Sequence, residues 1–201
     1  MNTCIRSSAV ALCTLALASA HANAVTIDFD SLADLETLTT QFTGVTFANA
    51  TALQASFSLN EAEFPPHSGT LVISDDGAPI EVRFATPVTQ ASAYFTYFAP
   101  LTLTAFDALD NVLGSAVSAF ANNLALSGDP GSSANELLQL AFASGISRLM
   151  LAGDPAGYSF VVDDLSYTSL AQPVPMPEPV TAALVAIGLA GLLARRRFAT
   201  V

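Results

Sequence analysis

The sequence is as informative in what it lacks as in what it contains. It has no Lys and no Trp, only two Cys and only two His among 201 residues. Both cysteines, Cys4 and Cys13, fall in the first apolar stretch. The remainder therefore has no disulfide framework, no zinc-thiolate site and no cysteine nucleophile. Leu12 precedes Cys13 where lipid attachment needs a small residue, so Cys13 is not expected to be a lipid anchor. Positive charge is almost confined to the ends, at Arg6 and at Arg195, Arg196 and Arg197. Between Val25 and Met176 only Arg83 and Arg148 face sixteen Asp and Glu. Such a surface repels phosphate backbones and excludes nucleic-acid binding, while it favours solubility and divalent cations.

The two ends read as targeting segments. Arg6 supplies a positive start, Ala9–Ala20 an apolar stretch, and Ala22-Asn23-Ala24 small residues at the two positions a signal peptidase reads. Residues 1–24 are thus expected to be a signal peptide cleaved between Ala24 and Val25. At the other end, residues 172–179 (Gln-Pro-Val-Pro-Met-Pro-Glu-Pro) hold too much proline for helix or central strand and form an extended linker. Residues 180–201 follow as a predicted transmembrane helix and basic tail. Val180–Ala194 is uncharged for fifteen residues, about 22 Å of helix against a hydrocarbon core of about 30 Å. Tilt adjustment and snorkelling arginines close that gap. Arginines after the helix predict a cytoplasmic C-terminus, which leaves residues 25–171 outside the inner membrane.

Pro177-Glu178-Pro179, the short apolar helix and Arg195-Arg196-Arg197 together resemble the PEP-CTERM sorting signal of Gram-negative bacteria. The resemblance implies recognition by an exosortase, a polytopic membrane cysteine peptidase that processes the signal near the Pro-Glu-Pro motif. It also implies association with exopolysaccharide and biofilm-matrix systems. It covers about 25 residues and is an address, silent about the cargo.

The cargo, residues 25–171, shows period-two patterning. Val25-Thr26-Ile27-Asp28-Phe29-Asp30, Ile80–Phe84 and Leu101–Ala105 alternate cleanly, and Val88–Phe98 is rich in Tyr, Phe and Thr. Gly44–Phe47, Leu71–Ser74, Ala119–Leu126, Leu137–Phe142, Ile146–Leu151 and Tyr158–Thr168 complete about ten predicted strands. Turn chemistry separates them, at Pro65-Pro66, Asp75-Asp76-Gly77, Gly128–Gly131 and Gly153-Asp154-Pro155. The expected fold is all-β, a two-sheet jelly-roll-like sandwich. Ser31–Thr39, with Leu32, Leu35 and Leu38 at helical spacing, is expected to form a short helix. Asn135–Phe142 fits strand or helix. Asp75-Asp76-Gly77 reads as a hairpin turn. The opening Ile27–Asp30, Gln41–Phe47 and the closing Phe160–Tyr167 also resemble the β-sandwich cargo domains of PEP-CTERM proteins, a likeness that implies no catalytic residues.

Chemistry has few places to reside. His67, in Pro66-His67-Ser68-Gly69, is the one histidine of the cargo, and no nucleophile-elbow sequence accompanies it. One histidine does not make a zinc site. Paired carboxylates for glycoside hydrolysis would come from Asp28, Asp30, Glu61, Glu63, Asp75, Asp76, Asp163 and Asp164, without any Trp platform beside them. The same acids suit calcium, which binds six to eight oxygens and needs no His or Cys. First and last strands are often neighbours in jelly rolls, so Asp28, Asp30, Asp163 and Asp164 are expected to converge and hold a structural Ca²⁺. Among tyrosines, Tyr94, Tyr97, Tyr158 and Tyr167 are the available stacking groups. Tyr94 and Tyr97 are three apart in one strand and so belong on opposite faces.

The sequence thus points to a non-enzymatic structural protein of the cell envelope or biofilm matrix. Its expected partners are signal peptidase, an exosortase-type peptidase and, transiently, the inner membrane. Its expected destination is the cell surface or extracellular matrix. A carbohydrate-binding module retaining exopolysaccharide is the second reading, and a polysaccharide hydrolase built on paired carboxylates the third.

Overall fold

A computed structural model describes residues 23–169 and, further on, Leu184, Val185 and Gly188, which are helical. Among the described residues no helix is long and apolar enough to cross a membrane. The signal peptide up to Ala22, the linker, the motif Pro177-Glu178-Pro179, the arginines Arg195, Arg196 and Arg197, and the rest of the expected transmembrane helix lie outside the described residues.

Nine antiparallel strands form the described fold. They are β1 (Ala24–Ile27), β2 (Val45–Ala48), β3 (Ala50–Gln54), β4 (Leu71–Asp75), β5 (Ile80–Tyr97), β6 (Thr102–Phe106), β7 (Val112–Val117), β8 (Glu136–Ala152) and β9 (Phe160–Ser169). The all-β expectation holds. The two expected sheets are instead one hydrogen-bonded sheet, ordered β3-β4-β9-β5-β8-β6-β7, with β1 on β9 and β2 on β5. The reason is the length of β5 and β8, 18 and 17 residues. Each serves both halves of a sandwich-like sheet, and register shifts between Arg83 and Val88 and between Val88 and Gln90 interrupt their ladder midway.

Alternation puts Val82, Phe84, Val88, Ala91, Ala93, Phe95 and Tyr97 of β5 into one apolar core. Phe29, Phe42 and Phe47 meet edge to face there, with ring centroids 5.8–6.1 Å apart. A smaller cluster of Leu59, Val72 and Val161 lies apart, with Leu53, Ala55 and Phe64 against it.

Three further expectations are corrected. Ser31–Thr39 is not a helix. Its backbone caps the edge strand β3: Leu35 N–H donates to Ala52 C=O, Ala52 N–H to Glu36 C=O and Leu38 N–H to Ala50 C=O. Sheet pairing therefore takes the groups a helix would have used, and a bridge joins Thr37 to Thr51. Ala119–Leu126 is a loop, because Asp129 accepts the Ala121 and Asn122 amides and Asn123 ties down Tyr97 N–H and Phe95 C=O. Asp75-Asp76-Gly77 is not a hairpin turn, since β9 lies between β4 and β5. Strands β3 and β7 were not foreseen. The segment Asn135–Phe142 resolves as strand from Glu136 onward.

Candidate functional site

The chain's first and last strands are neighbours, as expected: Val25 pairs with Tyr167 and Ile27 with Leu165. That pairing carries the opening and closing acids to one loop, residues 66–71, on the face of β9 turned away from the core.

Strict alternation would send Asp163 and Asp164 to opposite faces. A β-bulge prevents this. Ser92 and Tyr94 on β5 oppose Ser166 and Asp163, one extra residue on β9, and Asp164 has φ 48°. Val162 and Leu165 both remain in the core, and the two acids between them reach the same loop. Asp163 Oδ2 accepts the His67 and Ser68 amides at 2.8 and 2.9 Å, and its Oδ1 accepts the Asp164 amide at 2.7 Å. Asp164 pairs with His67 Nδ1 at 2.6 Å and accepts Ser68 Oγ–H at 2.9 Å. The far end of the loop is held by Asp30, whose Oδ1 accepts the Thr70 and Leu71 amides at 2.7 and 3.1 Å. Gly69 between them, at φ 52°, leaves room that a Cβ would close, since it would sit 1.5 Å from Asp30 Oδ2. Asp28 turns instead to the Asp30 amide, at 3.2 Å.

Burial pushes the Asp163 carboxyl up to about 6, aided by the charge of Asp164 and opposed by the amides it accepts. His67 stacks flat on Tyr94, centroids 3.5 Å apart at 9°.

This arrangement is a loop clamp. Asp163 and Asp164 direct both carboxylate oxygens, and Asp30 its Oδ1, at N–H or O–H donors of the fold, and among the described residues no group of three or more His, Cys, Asp or Glu is arranged to hold a metal ion. His67 and Ser68 both lean on Asp164, and neither is bonded to the other, so there is no serine–base relay. Glu61, Glu63 and Asp75 also face backbone amides, whereas Asp76 is exposed. Glu61 accepts Ser56 N–H, and Glu63 accepts the Leu126 and Ser127 amides. Asp75 is buried against the Gly77, Tyr158 and Ser159 amides. Burial raises its pKa despite them, and its Oδ1 has no hydrogen-bond partner of ordinary geometry.

The tyrosines separate cleanly. Tyr97 is in the core with its hydroxyl on Glu136, and burial with that partner pushes its pKa up to about 12. Tyr94 emerges on the opposite face, as expected, where His67 covers it. Tyr167 is buried against Phe84. Tyr158 is 58% exposed.

Tyr158 flanks a groove of about 310 Å³. Leu53, Leu59, Phe64 and Val161 supply apolar lining, Leu35 and Tyr158 are its exposed large side chains, and Ser58 and Asn60 are exposed and polar. Leu35 (φ 61°) and Tyr158 (φ 53°) both hold left-handed backbone, which costs a bulky residue on the order of 1–3 kcal/mol. Sequence reasoning named Tyr158 but not the groove. Its residues are scattered from Leu35 to Val161, and no motif marks them. The two cations of the described residues lie elsewhere: Arg83 pairs with Glu81, and Arg148 donates to Asp110 while stacking on Phe106.

No family model and no curated protein matches the chain. Solved structures with similar backbones include a DUF4465 family protein from Bacteroides caccae. It is 13% identical with a TM-score of 0.49, and the match covers 74% of this chain and 100% of that one. The K2 cleaved adhesin domain of Lys-gingipain is 12% identical with a TM-score of 0.45, covering 72% and 99%. The C-terminal family 22 carbohydrate binding module of Clostridium thermocellum Xyn10B is 11% identical with a TM-score of 0.37, covering 75% and 94%. At such low identities and TM-scores these likenesses assign the chain neither ligand nor activity.

Proposed function

We propose that this chain is an exported, exosortase-sorted protein of the cell envelope or biofilm matrix with a non-enzymatic role. The two terminal signals support the address. The observation that carries the non-enzymatic part is the use of the acids: Asp30, Asp163, Glu61 and Glu63 accept the fold's own backbone amides, and Asp164 holds the side chains of His67 and Ser68. A glycosidase needs one carboxyl free to protonate and another free to attack or activate water. The address is tested by replacing Pro177, Glu178 and Pro179 with Ala in a Gram-negative host that carries an exosortase. The unaltered protein should reach the cell surface or matrix, and the variant should stay with the inner membrane. Identical fractionation of the two would refute sorting through this motif.

The groove favours a second reading, a carbohydrate-binding module that retains exopolysaccharide. Apolar walls with a few convergent polar groups are the usual construction of a ligand pocket. Affinity electrophoresis of the mature protein in polysaccharide-containing gels tests it: retardation supports the module, and unchanged mobility in all of them removes it.

A further inference from the structure

Resting on the carbohydrate-binding reading, we infer that the groove between Leu35 and Tyr158 is the binding site and that its ligand is an uncharged saccharide. Leu35 and Tyr158 are large, 63% and 58% exposed, and both hold left-handed backbone. An exposed apolar side chain recovers little of that cost through burial, and glycine would remove it. Both strained residues flank the same groove. The framework around them is built to keep them there. Leu35 N–H is anchored on Ala52 C=O, and buried Asp75 lies against the Tyr158 and Ser159 amides. Gly157, at φ 82°, brings the same loop so close to Gly77 that a Cβ would lie 2.5 Å from the Gly77 Cα.

The lining then selects the ligand. A sugar ring presents a C–H face and a rim of hydroxyls. Tyr158 offers the aromatic surface that among the four tyrosines is neither buried nor covered. Asn60 is exposed, and among the described residues its side-chain amide has no hydrogen-bond partner. Ser58 donates to Asp34 and keeps acceptor capacity. An acyl chain or apolar peptide side chain would leave these polar groups without partners. Neither Arg83 nor Arg148 lines the groove, and Asp34 borders it through Ser58, so a polyuronate meets no counter-charge. The volume is at the small end of ligand pockets, about 300–1,000 Å³, which suits one short stretch of a polymer.

The test uses the mature protein, gels containing a neutral glucan, a neutral xylan or alginate, and the variants Tyr158→Gly, Tyr158→Phe and Asn60→Ala. Retardation is expected in a neutral polysaccharide and not in alginate. Tyr158→Gly should weaken it at least tenfold while raising Tm, because strain is relieved as the stacking surface is lost. Tyr158→Phe should keep most of the binding, and Asn60→Ala should weaken it with Tm unchanged. If the unaltered protein binds none of these polymers, the carbohydrate reading itself falls. If it binds but Tyr158→Gly binds equally well, the site lies elsewhere and only this inference falls. Equal retardation by alginate, or displacement of the glycan by a fatty acid, would overturn the assignment of an uncharged saccharide.

Discussion

Burial raises the pKa of Asp163 to about 6, and this has a defined consequence for stability. A carboxyl with a higher pKa in the folded chain than in the unfolded one holds its proton longer when folded. Its contribution is complete below about pH 4 and is lost as pH rises through about 6. Glu36, Glu61, Glu63 and Asp107 are lowered by the hydrogen bonds they accept, so they act in the opposite direction: their contribution is present above the usual carboxylate range and lost as pH falls below it. Thermal unfolding should therefore show maximum stability between about pH 4 and pH 6. Asp163→Asn should flatten the decline between pH 5 and pH 7, measured by Tm, at a cost of about 1–3 kcal/mol from mispaired amides. An unchanged slope would mean that Asp163 is not the titrating group. At the other end of the same loop, Gly69→Ala would drive a Cβ into the Asp30 carboxylate and free the Thr70 and Leu71 amides. Faster proteolysis within residues 65–70 is the expected readout.

At the scale of elements, the strands were legible wherever one face was buried and the other wet. Ile80–Phe84 and Leu101–Ala105 alternate, and each now places its apolar residues in the core. β7 was not legible because it is an edge with exposed Val112 and Val117, so burial imposed no pattern on it. The apolar spacing of Leu32, Leu35 and Leu38 was real but misleading. Leu38 is fully buried, Leu32 packs on the core and Leu35 is left outside by its left-handed backbone. The bulge at Asp164 was equally invisible, since it depends on register against β5 and not on composition. The loop connecting β8 to β9 yields a sharp prediction. Gly157→Ala would strain a φ of 82° and collide with the Gly77 backbone. It should destabilise the fold by about 1–3 kcal/mol in chemical denaturation. A loss below about 0.5 kcal/mol would show that the loop shifts without cost.

For the whole molecule, the net charge of −11 at pH 7 adds self-repulsion to these local effects. Salt up to about 0.5 M should raise Tm at pH 8 and change it much less near pH 5, where the acids begin to take up protons and repel less. Equal salt responses at the two pH values would contradict a repulsive origin. Both ends of the described fold also meet, since Ser169 N–H donates to Asn23 C=O.

Composition and periodicity by themselves determined the β class and the candidate acids, because these depend on residue type and on alternation along a single strand. The pairing of first strand with last was foreseen from the fold class and did bring Asp30, Asp163 and Asp164 to one place. What they do there was decided by tertiary structure alone. A carboxylate's role depends on which donors reach it. For Asp163 those donors are the amides of His67 and Ser68, nearly a hundred residues distant in sequence. The same holds for Tyr158, whose exposure beside Leu35 follows from two strained turns that only the packed chain brings together.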